Sequence, residues 1–250
     1  MRIEGRLHER VAELAVGALA LLAAFALKRA YSTAGADQLA WVLAPSCWLA
    51  SHAGLSLVQE PGAGFISHVP RMVVGPPCAG LNFMVVAWLA LYWSAQARFG
   101  GARAKLGWLL ASGLAAYLAT IATNGARIVL AAHLFDATFY AGMISKAQVH
   151  RLLGVALYCS VLLVACHAAQ RVTRAAAAHP LQRLAPLAWY VAVALVVPFV
   201  NRAFVRGPER FAEHALSTLA AVGLVAGLAA GLRRLVARPR DRLCSPRSPA

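Results

Sequence analysis

Charge is scarce in this 250-residue chain, and negative charge is scarcer still. Only 13% of the residues are charged, with 9 aspartates and glutamates against 24 lysines and arginines. A soluble domain of this length needs a larger charged surface, so that class is excluded. Cysteine is also sparse. Five are present with no CxxC spacing, which argues against a zinc site and against a disulfide framework. Ionisable residues cluster at the ends of the apolar runs and not deep within them, unlike the pattern of a transporter. No repeat period is visible.

What the chain has is apolar sequence: 60% hydrophobic residues and a mean hydropathy of +0.64. The apolar residues come in blocks at 11–27, 39–50, 81–97, 106–122, 152–169, 184–200 and 215–232. Most reach across about 30 Å of hydrocarbon with some flank. The block 39–50 is short and interrupted by Pro45. Open strands cannot satisfy their backbone in lipid, so the spans are helical. The expected fold is all-α: a polytopic membrane helix bundle with about seven transmembrane helices. Residues 1–238 form one membrane domain, and 239–250 form a disordered basic cytoplasmic tail. The first block reads as a retained span, because no convincing small-residue cleavage motif follows it.

The net charge of +15 invites a nucleic-acid partner, but the basic residues sit in short loops between apolar blocks. Arg98, Arg103 and Lys105 form one cluster, Arg171, Arg174 and Arg183 another, and arginines load the tail. Such clusters mark cytoplasmic loops and meet anionic lipid. Block 81–97 then ends inside, which puts Cys78 outside. Block 106–122 returns outward and delivers Asn124 and Arg127 to the outer face. The block after His150 runs inward, so His150 is outside as well. The N-terminus conflicts with this count, because Arg2, Arg6 and Arg10 favour inside while seven spans require outside. Either 39–50 falls short of crossing, or Lys28 and Arg29 hold their loop inside.

Two short extended runs around Pro61-Gly62-Ala63-Gly64 predict a small extracytoplasmic hairpin within 51–77, leading into Cys78. A second outer segment, 123–149, carries a short helical stretch at 126–135. Pro76-Pro77 fit the approach to a helix starting near Ala79. Cys78 then lies at a helix N-terminus, where unpaired N–H groups and the positive dipole end favour a thiolate and can form an oxyanion hole. Gly80 permits close approach of a substrate backbone. The plain alternative is an inert small apolar residue, which suits Cys159 and Cys166 in mid-span. His150, at an outer helix end, is placed to take and return a proton. Its alternative is an interfacial histidine with a wetted tip. Arg127 at the membrane edge holds a substrate carboxylate, stabilises an oxyanion, or simply snorkels. Asn124, three residues back on the same face, can orient it. Asn82 either hydrogen-bonds near the thiol or serves as polar glue between helices.

The order Cys78-Ala79-Gly80, then Asn124-Gly125-Ala126-Arg127-Ile128, then His150 with Gly154 resembles the exosortase/archaeosortase family of membrane cysteine transpeptidases. The resemblance covers roughly residues 39–169. The family pattern usually has Ser after the catalytic Cys and a polar or basic residue slightly later, where this chain has Ala79 and Asn82. Cys-Ala-Gly-Leu-Asn-Phe looks like the K subtype of exosortase. The resemblance implies an inner-membrane cysteine peptidase with its site on the extracytoplasmic side. Cys78 would be the nucleophile, His150 the acid–base and Arg127 the oxyanion or substrate-orienting group, with Asn124, Asn82 and Gly80 in support. No metal or organic cofactor is implied. The implied substrate is a secreted protein with a C-terminal sorting tail: a short motif, one transmembrane helix and a basic end. The acyl group passes to an acceptor, in a system linked to extracellular polysaccharide. The rival reading is a non-catalytic scaffold or assembly subunit of a polysaccharide exporter. Oligomeric state is not legible in the sequence.

Overall fold

The computed structural model describes residues 2–134, 146–173, 185–200 and 203–243. Helix α1 spans Arg2–Thr33 and α2 spans Ala40–His52. Three strands follow: β1 (Val58–Glu60), β2 (Gly64–His68) and β3 (Arg71–Val74). The helices then resume with α3 (Leu81–Ala95), α4 (Gly101–His133), α5 (Lys146–Val172), α6 (Ala185–Val200), the single turn α7 (Ala203–Arg206) and α8 (Pro208–Leu243).

Five helical stretches among the described residues are long and apolar enough to cross a membrane: Glu9–Thr33, Pro76–Arg98, Gly101–His133, Val149–Val172 and Pro208–Leu232. Ala185–Val196 is apolar but shorter. Many of their exposed side chains are large and apolar, including Leu14, Phe25, Leu114, Val164 and Leu216. Water would penalise such continuous apolar exposure, whereas lipid does not. The chain is a multi-pass membrane protein.

In lipid, helices are held by close packing and interhelical hydrogen bonds, since water exclusion no longer drives their contact. Small buried residues (Ala79, Ala87, Ala90 and Ala116) let the backbones approach. The α3–α4 pair is tied by two indoles. Trp88 Nε1 donates to the Leu109 carbonyl at 2.8 Å, and Trp108 Nε1 donates to the Tyr92 carbonyl at 3.1 Å. Buried Ser46 and Thr120 return their hydroxyl protons to carbonyls four residues back in their own helices, at 2.8 and 2.7 Å.

Polar contacts fix the direction of the helices. Lys105 at the start of α4 pairs with Glu13 of α1 at 2.7 Å, while Lys28 near the end of α1 donates to Asn82 Oδ1 of α3 at 2.7 Å. So α1 runs parallel to α4 and antiparallel to α3, with its N-terminal half at the end that carries the basic residues Arg98, Arg103 and Lys105, the last two of which lie in the first turns of α4 and not in a loop. Trp189 of α6 stacks on Trp93 at that same end, their centroids 5.9 Å apart. Arg151 and Glu213 pair at 3.2 Å at the opposite end, where α5 and α8 begin.

Several expectations are revised. Helix α2 has 13 residues, roughly 20 Å at 1.5 Å per residue, which is too short to cross alone. The expected hairpin is a three-stranded antiparallel sheet in the order β1-β2-β3. Its first turn is tied by Asp37, whose two carboxylate oxygens accept from the Gly62 N–H at 3.1 and 2.9 Å. Gly64 has φ +103°, and a Cβ there would stand 2.6 Å from the Val74 carbonyl oxygen, so β2 and β3 close only on glycine. Residues 123–133 continue α4 without a break, although 123 was expected to open an outer segment with its own short helix at 126–135. No proline interrupts 101–133, and Asn124 and Gly125 are both buried against neighbouring segments. The rest of the expected outer segment includes 135–145, which lies outside the described residues. Helix α8 continues to Leu243, into the stretch read as a disordered tail. Residues 244–250 lie outside the described residues.

Candidate active site

Strand β3 delivers Gly75-Pro76-Pro77-Cys78 to the N-terminal end of α3. Two successive prolines restrict the backbone and remove two N–H donors. The chain tightens into a 3-10 turn over Pro76–Cys78, closed by Cys78 N–H to Gly75 O at 2.8 Å and Ala79 N–H to Pro76 O at 3.1 Å. Gly80 then adopts a left-handed conformation at φ +67°. The helix therefore starts at Leu81, two residues later than expected, and its first bond is Met84 N–H to Gly80 O at 3.0 Å. The N–H groups of Leu81, Asn82 and Phe83 precede that bond and have no acceptor within the helix. Of the described cysteines, Cys78 alone is partly exposed, while Cys47, Cys159 and Cys166 are buried.

Asn124 locks this turn to α4. It is fully buried, and its Nδ2 donates to the Ala79 carbonyl at 2.8 Å. A Cβ on Gly80 would lie 2.5 Å from the same Nδ2. The left-handed turn and the buried amide are thus one steric unit, which explains why a glycine stands two residues after the cysteine.

Arg127 lies one turn beyond Asn124 on α4 and reaches across to α5. Its Nη2 is 2.8 Å from His150 Nε2, and its Nη1 donates to Tyr158 OH at 3.1 Å. A guanidinium has donors only, so His150 Nε2 must accept. The imidazole is therefore neutral in this arrangement, with its proton on Nδ1. Arg127 Nε is buried and has no hydrogen-bond partner among the described residues. The ion pairs Lys105–Glu13 and Arg151–Glu213 do not include Arg127.

Tyr158 joins the two halves of the site. Its hydroxyl accepts from Arg127 and donates to Asn124 Oδ1 at 2.7 Å. Its ring stacks on Phe83 with centroids 4.5 Å apart and planes 11° apart. A continuous series of hydrogen bonds thus runs from the Ala79 carbonyl through Asn124, Tyr158 and Arg127 to His150. Sequence reasoning missed Tyr158. The signal was present: His150, Gly154 and Tyr158 recur every four residues, on one helical face.

The structure brings Ala79, Gly80, Asn124, Arg127 and His150 together at one end of the bundle, with Cys78 at the edge of the group. No hydrogen bond joins Cys78 Sγ to Arg127 or His150 among the described contacts. Asn82 is exposed and bonded to Lys28, so it faces α1 and acts as glue between helices. Other histidines serve locally: His52 contacts the Trp48 carbonyl and His214 the Ala194 carbonyl. Among the described residues, no group of three His, Cys, Asp or Glu side chains could hold a metal ion.

Comparison with protein-family models, with curated proteins and with solved structures finds no match to this chain.

Proposed function

We propose that this chain is a membrane-embedded cysteine peptidase/transpeptidase of the exosortase/archaeosortase kind. The observation that carries the reading is the Arg127–His150 contact of 2.8 Å, linked through Tyr158 and Asn124 to the residue after Cys78. By the positive-inside rule the α3–α4 junction with Arg98, Arg103 and Lys105 is cytoplasmic, so the site opens on the extracytoplasmic side of the inner membrane. The crossings are then α1, α3, α4, α5, α6 and α8, with α2 packed along α4 and its Trp41, Trp48 and Leu49 side chains exposed. Helix α1 then begins and α8 ends on the cytoplasmic side, and the conflict at Arg2, Arg6 and Arg10 disappears.

In the proposed reaction, a substrate carbonyl enters beside Cys78, and Arg127 turns its donors from His150 to the carbonyl oxygen. His150 Nε2, released, takes the thiol proton. The thiolate attacks the carbonyl carbon and forms the C–S bond. The imidazolium returns the proton to the departing amine as the C–N bond breaks. Water, an amine or a hydroxyl then attacks the thioester, His150 accepts its proton, and the Cys78 thiol is restored. Arg127 and the N–H groups at the start of α3 neutralise the oxyanion in both steps.

A site at the lipid–water boundary suits a secreted protein whose C-terminal tail holds a recognition motif, one transmembrane helix and a basic end. The anchor raises the local substrate concentration, so weak motif contacts suffice. Acceptors linked to extracellular polysaccharide fit the same location.

The test is co-expression with a tail-bearing substrate, comparing the wild type with Cys78→Ala. Tail release by the wild type alone is expected. Equal release by both ends the nucleophile assignment and favours the scaffold reading.

A further inference from the structure

We infer that Tyr158 is a positioning residue that holds Arg127 on His150 and at the same time ties that pair to the turn carrying Cys78. The inference rests on the peptidase reading for its role in the reaction, but the contacts that carry it are independent of that reading.

The Tyr158 hydroxyl has one proton and accepts through its lone pairs. It gives the proton to Asn124 Oδ1 at 2.7 Å and accepts from Arg127 Nη1 at 3.1 Å. With Oδ1 so engaged, the amide of Asn124 must present Nδ2 to the Ala79 carbonyl, as observed at 2.8 Å. Arg127, held by Nη1, presents Nη2 to His150. One hydroxyl thus fixes the orientation of an amide on one side and of a guanidinium on the other. The ring cannot drift, because it is stacked on Phe83 of α3 and faced by the Arg127 guanidinium 5.7 Å from its centroid. Phenylalanine at this position keeps the stack and removes the hydroxyl alone.

Two consequences separate positioning from mere packing. First, the Arg127–His150 bond requires the Nδ1–H tautomer of His150, and that requirement relaxes when Arg127 loses its anchor. Second, the substrate-binding surface stays intact, so the loss falls on turnover. Displacement of a reacting group by about 1 Å costs on the order of 100-fold in rate.

The experiment uses the full-length protein in lipid nanodiscs with 15N-labelled histidine near neutral pH. The His150 signals are assigned by their disappearance in His150→Gln. The expected wild-type result is a lone pair at Nε2 and a proton at Nδ1. Tyr158→Phe should lose this single-tautomer signature and lower kcat for tail release about 10- to 100-fold, with KM within about twofold. Tyr92→Phe is the control, because the buried Tyr92 hydroxyl has no partner among the described residues. It should leave both readouts unchanged. Retention of the wild-type tautomer in Tyr158→Phe overturns the inference, and so does an Nε2–H tautomer in the wild type. A lost tautomer with unchanged kcat overturns the role in the reaction. The tautomer readout needs no turnover, so it still decides the relay if Cys78→Ala cleaves as well as the wild type and the peptidase reading fails.

Discussion

Gly154 lies directly beneath the Arg127 side chain: a Cβ built on it would stand 3.1 Å from Arg127 Nε and 3.6 Å from Cδ and Cζ. The guanidinium reaches His150 by lying across α5 where that helix has no side chain. Gly154→Ala should therefore push Arg127 away while α5 remains helical. We expect tail release to fall on the order of 10-fold with normal membrane insertion, and Gly154→Val to fall further, as measured by rate at matched protein levels.

Gly80 and Asn124 exclude any larger residue at the turn. Gly80→Ala combines a left-handed backbone, which costs roughly 1–2 kcal/mol for a residue with a Cβ, with a 2.5 Å approach to Asn124 Nδ2. Thermal unfolding in detergent should show a clear drop in Tm. Adding Asn124→Ala removes the clash, so the double variant should lose less than the sum of the singles.

Asn124→Ala alone leaves the Ala79 carbonyl without its donor and the Tyr158 proton without its acceptor. Each unsatisfied buried group costs about 1–3 kcal/mol. Unfolding measurements should show a loss of that order, and tail release should fall with it because the Cys78 turn is no longer tied to α4.

Asn82 and Lys28 face the surface of the α1–α3 contact. Asn82→Ala should change stability by no more than about 0.5 kcal/mol and leave tail release near the wild-type rate. A large loss of activity at normal stability would return Asn82 to the site.

Two engineered cysteines test the orientation of the bundle. In a background where the native cysteines are replaced, His68→Cys sits at the exposed end of β2 and Arg103→Cys sits among the basic residues at the start of α4. A membrane-impermeant maleimide added to intact cells should label the first at once and the second only after permeabilisation. The reverse pattern would place the Cys78 end in the cytoplasm.

Cys78, Arg127 and His150 were legible because each is a reactive side chain at the border of an apolar block, where a lone charge or thiol stands out. Tyr158 was not, since a tyrosine inside an apolar helix looks like any interfacial aromatic until its hydroxyl is seen between Asn124 and Arg127. Of the two readings of Asn82, the bond to Lys28 fits the interhelical one. The four-residue spacing of Asn82 from Cys78 assumes a helix through both, and the left-handed Gly80 breaks that helix. Asn124 and Gly125 fell before the expected helical stretch 126–135 because local propensity ignores neighbours. Buried in the bundle, both residues continue α4.

The sequence by itself determined that the chain is built from membrane helices, because apolar length is a local property and each span satisfies its own backbone. It also determined which end of each span carries the basic loops. Only the tertiary structure decided that α2 stops short of a crossing, that the segment before Cys78 is three strands, and that one tyrosine binds an asparagine from α4 to the arginine that meets His150. Those features depend on contacts between residues far apart in the chain, such as Asp37 with Gly62 and Ala79 with Asn124, and no local pattern encodes them.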